Sequence, residues 1–236
     1  MVFDGFWKHQ PPLVTAVNPP LSLPKTDLLH GFRGSAFDRY TQAKKELGCH
    51  MRPVGLSSGL SFPYYSLEAK SCHGPPDVAV MQNAHATALM LRNLWHLTSK
   101  SHVQTNDQPA PRADRLVVLS SVLTPMYCSL DCHWIVPSDT AGQARFLRRR
   151  VNSWKFPDEY EDASRSLIAA IDWAKQNLEK SLHHNLDRLE RQLDLHQDRR
   201  IESGSSAADY GTYDVDFPAR GVHSFNGTIV VAGEEP

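Results

Sequence analysis

Residues 62–97 constrain the fold more than any other stretch of the chain. Residues 62–70 read as a strand, with Phe62, Tyr64 and Tyr65 at its start and alternating character towards its end. Gly74-Pro75-Pro76 then breaks the run. Residues 77–97 predict a helix, because Val80, Ala84, Ala88, Leu91 and Trp95 recur at three- and four-residue steps. The prolines at its entrance suit a first helical turn. A chain with strand, break and amphipathic helix in direct succession contains both sheet and helix.

The 236 residues make room for one domain of good size, or one domain with appendages. Lys and Arg number 25 against 26 Asp and Glu, which excludes a generally basic nucleic-acid coat protein but leaves room for a local basic groove. A hydrophobic content of 41% is too high for wholesale disorder. No apolar run approaches the roughly 20 residues of a membrane helix. Met1 to Lys8 lacks the basic and apolar regions of a secretory signal, and four cysteines are no disulfide framework. The expectation is an intracellular protein, in nucleus or cytoplasm, with no membrane partner.

Five prolines between Pro11 and Pro24 forbid a regular helix or a central strand, so residues 1–24 are expected to be an extended lead-in. A domain is expected over 25–199. It would hold a short strand at 28–32, a helix at 36–47 stopped by Gly48, and loops at 53–61 and 99–113. Strands at 115–123 and 129–136 flank Thr124-Pro125-Met126-Tyr127, a hairpin signal. Residues 141–154 predict a helix with a basic turn, and 159–199 one long helix or two in series. Residues 200–236 turn Gly/Ser-rich and acidic, the composition of a disordered or loosely docked tail.

Glu68 and Lys70 are the residues that carry chemistry. Two apart on a strand, they project from the same face. A carboxylate beside an ammonium suits metal-assisted phosphodiester hydrolysis: the carboxylate holds a hard cation and the lysine orients the attacking water. A second carboxylate is needed, and Asp27, at the head of the preceding strand, is the candidate. An acid-x-Lys triplet occurs about once by chance in a chain of this length, and a solvated strand face is its ordinary fate. Strand placement, the upstream Asp27 and the helix that opens with Gln82 lift it above that.

The order Thr26-Asp27, Glu68-Ala69-Lys70, Gln82-Asn83 resembles the PD-(D/E)XK nuclease superfamily, and most of all the fungal PD-(D/E)XK nuclease-like domain of unknown function. Asp27 with Gly31-Phe32, Phe62-Pro63-Tyr64 through Ser71, and Met81 to Ala86 through Leu91 stand in the order of that family's motifs. His133-Trp134 and Ile171-Asp172-Trp173 extend the similarity, which spans about 19–195. The resemblance implies a restriction-endonuclease-like α/β (α+β) fold, a mixed sheet flanked by helices with a long C-terminal helix. It would make Asp27 and Glu68 ligands of Mg²⁺ or Mn²⁺, Lys70 the water-activating catalytic residue and Gln82 a supporting one. Thr26 stands where the superfamily has proline, a position that contributes no chemistry.

Cys49-His50, Cys72-His73 and Cys128 with Cys132-His133 supply zinc-ligand types but no C-x-x-C, so ordinary thiols are expected rather than a structural zinc. Arg145, Arg148, Arg149 and their neighbour Arg150 suit phosphates, against the commoner outcome of a solvated basic face. His183 and His184 are expected to be exposed. Ile171, Leu178 and Trp173 predict that the first half of the long helix packs on the sheet. Leu182, Leu186, Leu189 and Leu193 form a narrow seam, of a kind that more often packs against its own domain than forms a dimer interface; because the surroundings beyond Leu182 are polar, residues 183–199 are expected to project or to pair with a second copy or partner helix. Two functions follow: a Mg²⁺-dependent nuclease, or a catalytically inactive descendant that binds nucleic acid or a protein. The Asp27, Glu68, Lys70 and Gln82 set favours the first, and the near-neutral charge the second.

Overall fold

The structure, a computed structural model, describes residues 2–6, 25–51, 59–72, 74–102, 116–137, 144–202 and 228–229. Seven strands form one sheet in chain order: β1 (Val2–Phe6), β2 (Lys25–Arg33), β3 (Leu60–Ala69), β4 (Val117–Leu123), β5 (Tyr127–Pro137), β6 (Ala144–Lys155) and β7 (Thr228–Ile229). β3 runs parallel to β4 and β6 to β7, and the other neighbours are antiparallel. The five strands β2–β6 form the body of this mixed α+β fold. Three helices accompany them: α1 (Thr41–Leu47), α2 (Pro76–His102) and the long C-terminal α3 (Tyr160–Glu202). Among the described residues no helix is long and apolar enough to cross a membrane.

Adjacent parallel strands cannot be joined by a tight turn, and α2 makes the crossover from β3 to β4. Residues 83–94 of α2 are buried without a break, so this stretch has no solvent face. Asn83 pins it to the sheet: its Oδ1 accepts from Ser66 Oγ at 2.8 Å and its Nδ2 donates to the Ser121 carbonyl at 2.7 Å. On β2, the register shifts between His30 and Phe32. Gly31 sits at that shift because a Cβ there would lie 2.9 Å from the Ser61 carbonyl oxygen.

The strand at 28–32 and the helix at 77–97 are present and longer than expected, and the hairpin is present with its first strand starting at Val117 and its second extended to Tyr127–Pro137. The predicted helix over 36–47 is instead a 3₁₀ turn (Gly34–Phe37) followed by α1. Residues 99–102, expected in a loop, continue α2, because Ser101 is buried and donates its hydroxyl to Thr98 O and to Asn185 Oδ1. The predicted helix over 141–154 is strand β6. It pairs with β5 along its whole length, and Phe146 and Trp154 enter the core, so alternation had been mistaken for a basic helical turn. Leu60 and Ser61, expected in the loop at 53–61, open β3 instead, paired with Arg33 and Phe32 of β2. Most of the lead-in and tail, residues 53–58 and residues 103–113 lie outside the described residues. Within them, Val2–Phe6 and Thr228–Ile229 are the outermost strands.

The first half of the long helix packs on the core as expected through Leu178, with Ile171 partly buried against it, but Trp173 is 49% exposed. Beyond it Leu182, Leu186 and Leu189 are buried as well. The seam is therefore covered by the chain's own domain rather than left for a second helix. Polar residues around the leucines make the docking contacts. Tyr40 Oη shares a 2.9 Å hydrogen bond with His183 Nδ1, which takes His183 out of the exposed class. Gln192 Nε2 donates to Ser101 O at 2.9 Å, and Glu190 accepts the Gln42 and Ala43 amides at the start of α1, at 3.0 and 2.7 Å.

Candidate metal centre

The β2–β3 ladder brings the two predicted carboxylates together. Leu28 pairs with Leu67, so Asp27, one residue before, and Glu68, one residue after, face each other across an antiparallel register. Asp27 Oδ2 accepts the Ala69 amide at 2.7 Å, which fixes its carboxylate at the end of β3. Lys70 leaves the strand but stays tied to the sheet, its amide donating to Leu123 O at 2.9 Å. Its ammonium reaches back to within 3.4 Å of Glu68 Oε2.

Glu68 is 1% exposed. Burial, and then the neighbouring Asp27 carboxyl, push its pKa up to about 7, while Lys70 pulls the other way. Its second oxygen, Oε1, is buried and finds no donor among the described residues. An orphaned carboxylate oxygen in the interior is costly unless it is protonated or meets a cation. Asp27, Glu68 and Lys70 therefore form one cluster. Gln82, on the second turn of α2 beside Asn83, has a buried Oε1 without a partner among the described residues, but no contact ties it to the three.

Hard carboxylate and amide oxygens are the donor chemistry of Mg²⁺, Mn²⁺ or Ca²⁺ rather than of a soft metal. Among the described residues no group of three or more His, Cys, Asp and Glu side chains is placed to hold a metal. An ion here would take two carboxylates from the protein and leave its other positions to water or substrate, which is how Mg²⁺ is commonly held. Of the described zinc-ligand types, Cys72 is exposed and Cys128 buried, with its thiol pushed up to about 11 by burial. His133 is buried and shares a 2.8 Å hydrogen bond with Ser120 Oγ. The Cys49 and His73 side chains lie outside the described residues.

The basic residues of β6 divide between the two faces of the sheet. Arg148 pairs with His133 and Arg150 with Asp131, so both lie on the face of Asp131, with Arg145 and Arg149 on the opposite one. Arg148 Nη2 and Arg150 Nε both donate to Asp131 Oδ1, at 3.0 and 3.2 Å. Asp131 and Asn83 are the polar residues that sequence reasoning passed over. A lone acid inside the apolar strand 129–136 was the available signal for Asp131, and an amide on the inner side of a buried helix the signal for Asn83.

Comparison with curated proteins and with solved structures gives no match. A family model described as "Domain of unknown function (DUF7924)" matches residues 4–193, which include strands β2–β6, helices α1 and α2, most of α3 and the whole Asp27, Glu68, Lys70 cluster, and the chain belongs to that family.

Proposed function

We propose that this protein is a divalent-metal-dependent hydrolase of nucleic-acid phosphodiester bonds, with a restriction-endonuclease-like fold. One observation carries the reading: a buried Glu68, with one oxygen lacking a donor among the described residues, stands beside Asp27 and Lys70. A surface ion pair would not need that burial, and a core built only for stability would not keep two carboxylates side by side. Asp27 and Glu68 would hold Mg²⁺ or Mn²⁺, which supplies Lewis acidity towards a phosphate oxygen. Lys70 places a positive charge where a water approaching the phosphate can be oriented and its developing charge neutralised. Gln82 offers an amide oxygen to the same hydration shell. Glu68 must be ionised to hold the ion, and its raised pKa makes a proton the competitor of the cation below neutrality.

The second reading, a nuclease-like fold that binds nucleic acid or a protein without cleaving it, is favoured by the near balance of 25 basic and 26 acidic residues. Incubation of the full chain with plasmid, linear duplex and RNA in Mg²⁺ or Mn²⁺ decides between them. Cleavage by wild type that is lost in Glu68→Gln and Lys70→Ala supports the hydrolase. Equal inertness of wild type and Glu68→Gln, with the fold intact, leaves only the binding reading.

A further inference from the structure

Asp131 is 1% exposed, and a carboxylate in that position must be compensated. Two guanidiniums compensate it where one would suffice, which leaves a net positive charge at the rim of the sheet. Arg150 spends its Nε on Asp131, so its terminal fork of two amino groups makes no hydrogen bond among the described residues, and 34% of the side chain is exposed. Arg148, 14% exposed, backs it from the same face. A guanidinium fixed by a buried acid with its fork turned outward has already lost its rotamer freedom, and its planar donors match a phosphate.

The position of this pair relative to Glu68 follows from the registers. Glu68 is in register with Val122, and Val122 with Ser129, two residues before Asp131. Asp131 thus lies on the same face as Glu68, two strands across and one same-face step along. Strand spacing and rise put the two about 12 Å apart, about two nucleotides along one strand of a duplex.

The geometry points to the Arg150–Asp131–Arg148 cluster as a phosphate-binding subsite for the backbone of a nucleic acid that follows the β6 edge of the sheet, outside the face that α2 covers, towards the Glu68–Lys70 end of β3. It rests on the hydrolase reading for the identity of the ligand, but binding is measurable without cleavage. The direct experiment is fluorescence anisotropy of the full chain with labelled 20-nucleotide single strands and duplexes, in EDTA, over a range of salt concentrations. Loss of one phosphate contact lowers the salt slope by about 1 and weakens binding on the order of 5- to 10-fold at low salt, irrespective of sequence. Arg150→Gln is expected to do both, and Arg149→Gln, on the opposite face, neither. Arg150→Lys keeps the charge and the Asp131 pairing, so it is expected to fold and to keep the slope while losing affinity. It decides the matter if Arg150→Gln does not fold. Unchanged affinity and slope in folded Arg150→Gln, or unchanged affinity in Arg150→Lys where Arg150→Gln does not fold, overturns the subsite, as does a wild type that binds neither ligand. Weakened binding in Arg150→Gln by a wild type that never cleaves keeps the subsite and sinks the hydrolase. Cleavage with unaltered binding in Arg150→Gln does the reverse.

Discussion

Lys70 Nζ lies 3.4 Å from Glu68 Oε2, while Glu68 Oε1, on the same buried carboxylate, has no donor among the described residues. One oxygen is thus balanced by a cation of the protein and the other is not. The asymmetry gives the cluster a pH dependence and a response to added cations that can be measured without knowing the substrate.

Glu68 has its pKa raised from 4.5 to about 7, by burial first and by Asp27 second. Between those values the folded protein binds a proton that the unfolded chain has released, so stability is full below about pH 4.5 and declines as pH rises to about 7. The shift corresponds to on the order of 3 kcal/mol. Glu68→Gln is expected to flatten this decline, and urea unfolding of both proteins from pH 5 to pH 8 checks it. An identical pH profile in the two proteins would show that Glu68 does not ionise as its surroundings dictate.

A divalent cation competes with that proton. Mn²⁺ is expected to raise the melting temperature of wild type at pH 8, to do so weakly at pH 5.5, and to leave Glu68→Gln and Asp27→Asn unmoved at both. Calorimetric titration at pH 7 in two buffers of different ionisation enthalpy should register proton release on binding. Equal stabilisation of wild type and Glu68→Gln by Mn²⁺ would place the ion elsewhere.

The strands and helices that could be read from the sequence were those whose period is local. Tyr64 and Tyr65 on β3, and Val80 to Trp95 on α2, carry their own pattern. Asp27 and Glu68 could be paired only through the order of motifs, because their contact depends on the Leu28–Leu67 register of two separated strands. Strand β6 was misread because its three consecutive arginines hide the alternation that Phe146, Arg148 and Arg150 make against β5. The far half of α3 failed for a different reason: residues such as Glu190 and Gln192 look solvated in sequence, yet they satisfy the backbone of α1 and α2. Polar docking of this kind leaves no hydrophobic signature.

Glu190 acts as a cap supplied from a distant element. Its two oxygens accept the Gln42 and Ala43 amides, donors at the start of α1 that have no partner within the helix. Glu190→Ala is expected to destabilise the protein by about 1 kcal/mol, as loss of an N-cap does, and to raise amide exchange at 41–47 ahead of the sheet. Uniform protection in the variant would show that α1 is held by packing alone.

Leu186 is fully buried, and the leucines on either side of it, Leu182 and Leu189, are 2% and 3% exposed. If these side chains fill the domain's own core, Leu186→Ala costs about 2–5 kcal/mol in a protein whose oligomeric state does not change. A chain ending at Leu182 loses Leu186 and Leu189 together with the Glu190 cap and the Gln192 contact to Ser101. It is expected to unfold at much lower urea than the full chain. A helix that served a partner would behave otherwise: truncation would leave a stable monomer, and Leu186→Ala would change the sedimentation coefficient rather than the melting temperature. Urea unfolding with sedimentation velocity on both proteins separates the two, and a stable monomer ending at Leu182 would overturn the assignment of the seam to the chain's own core.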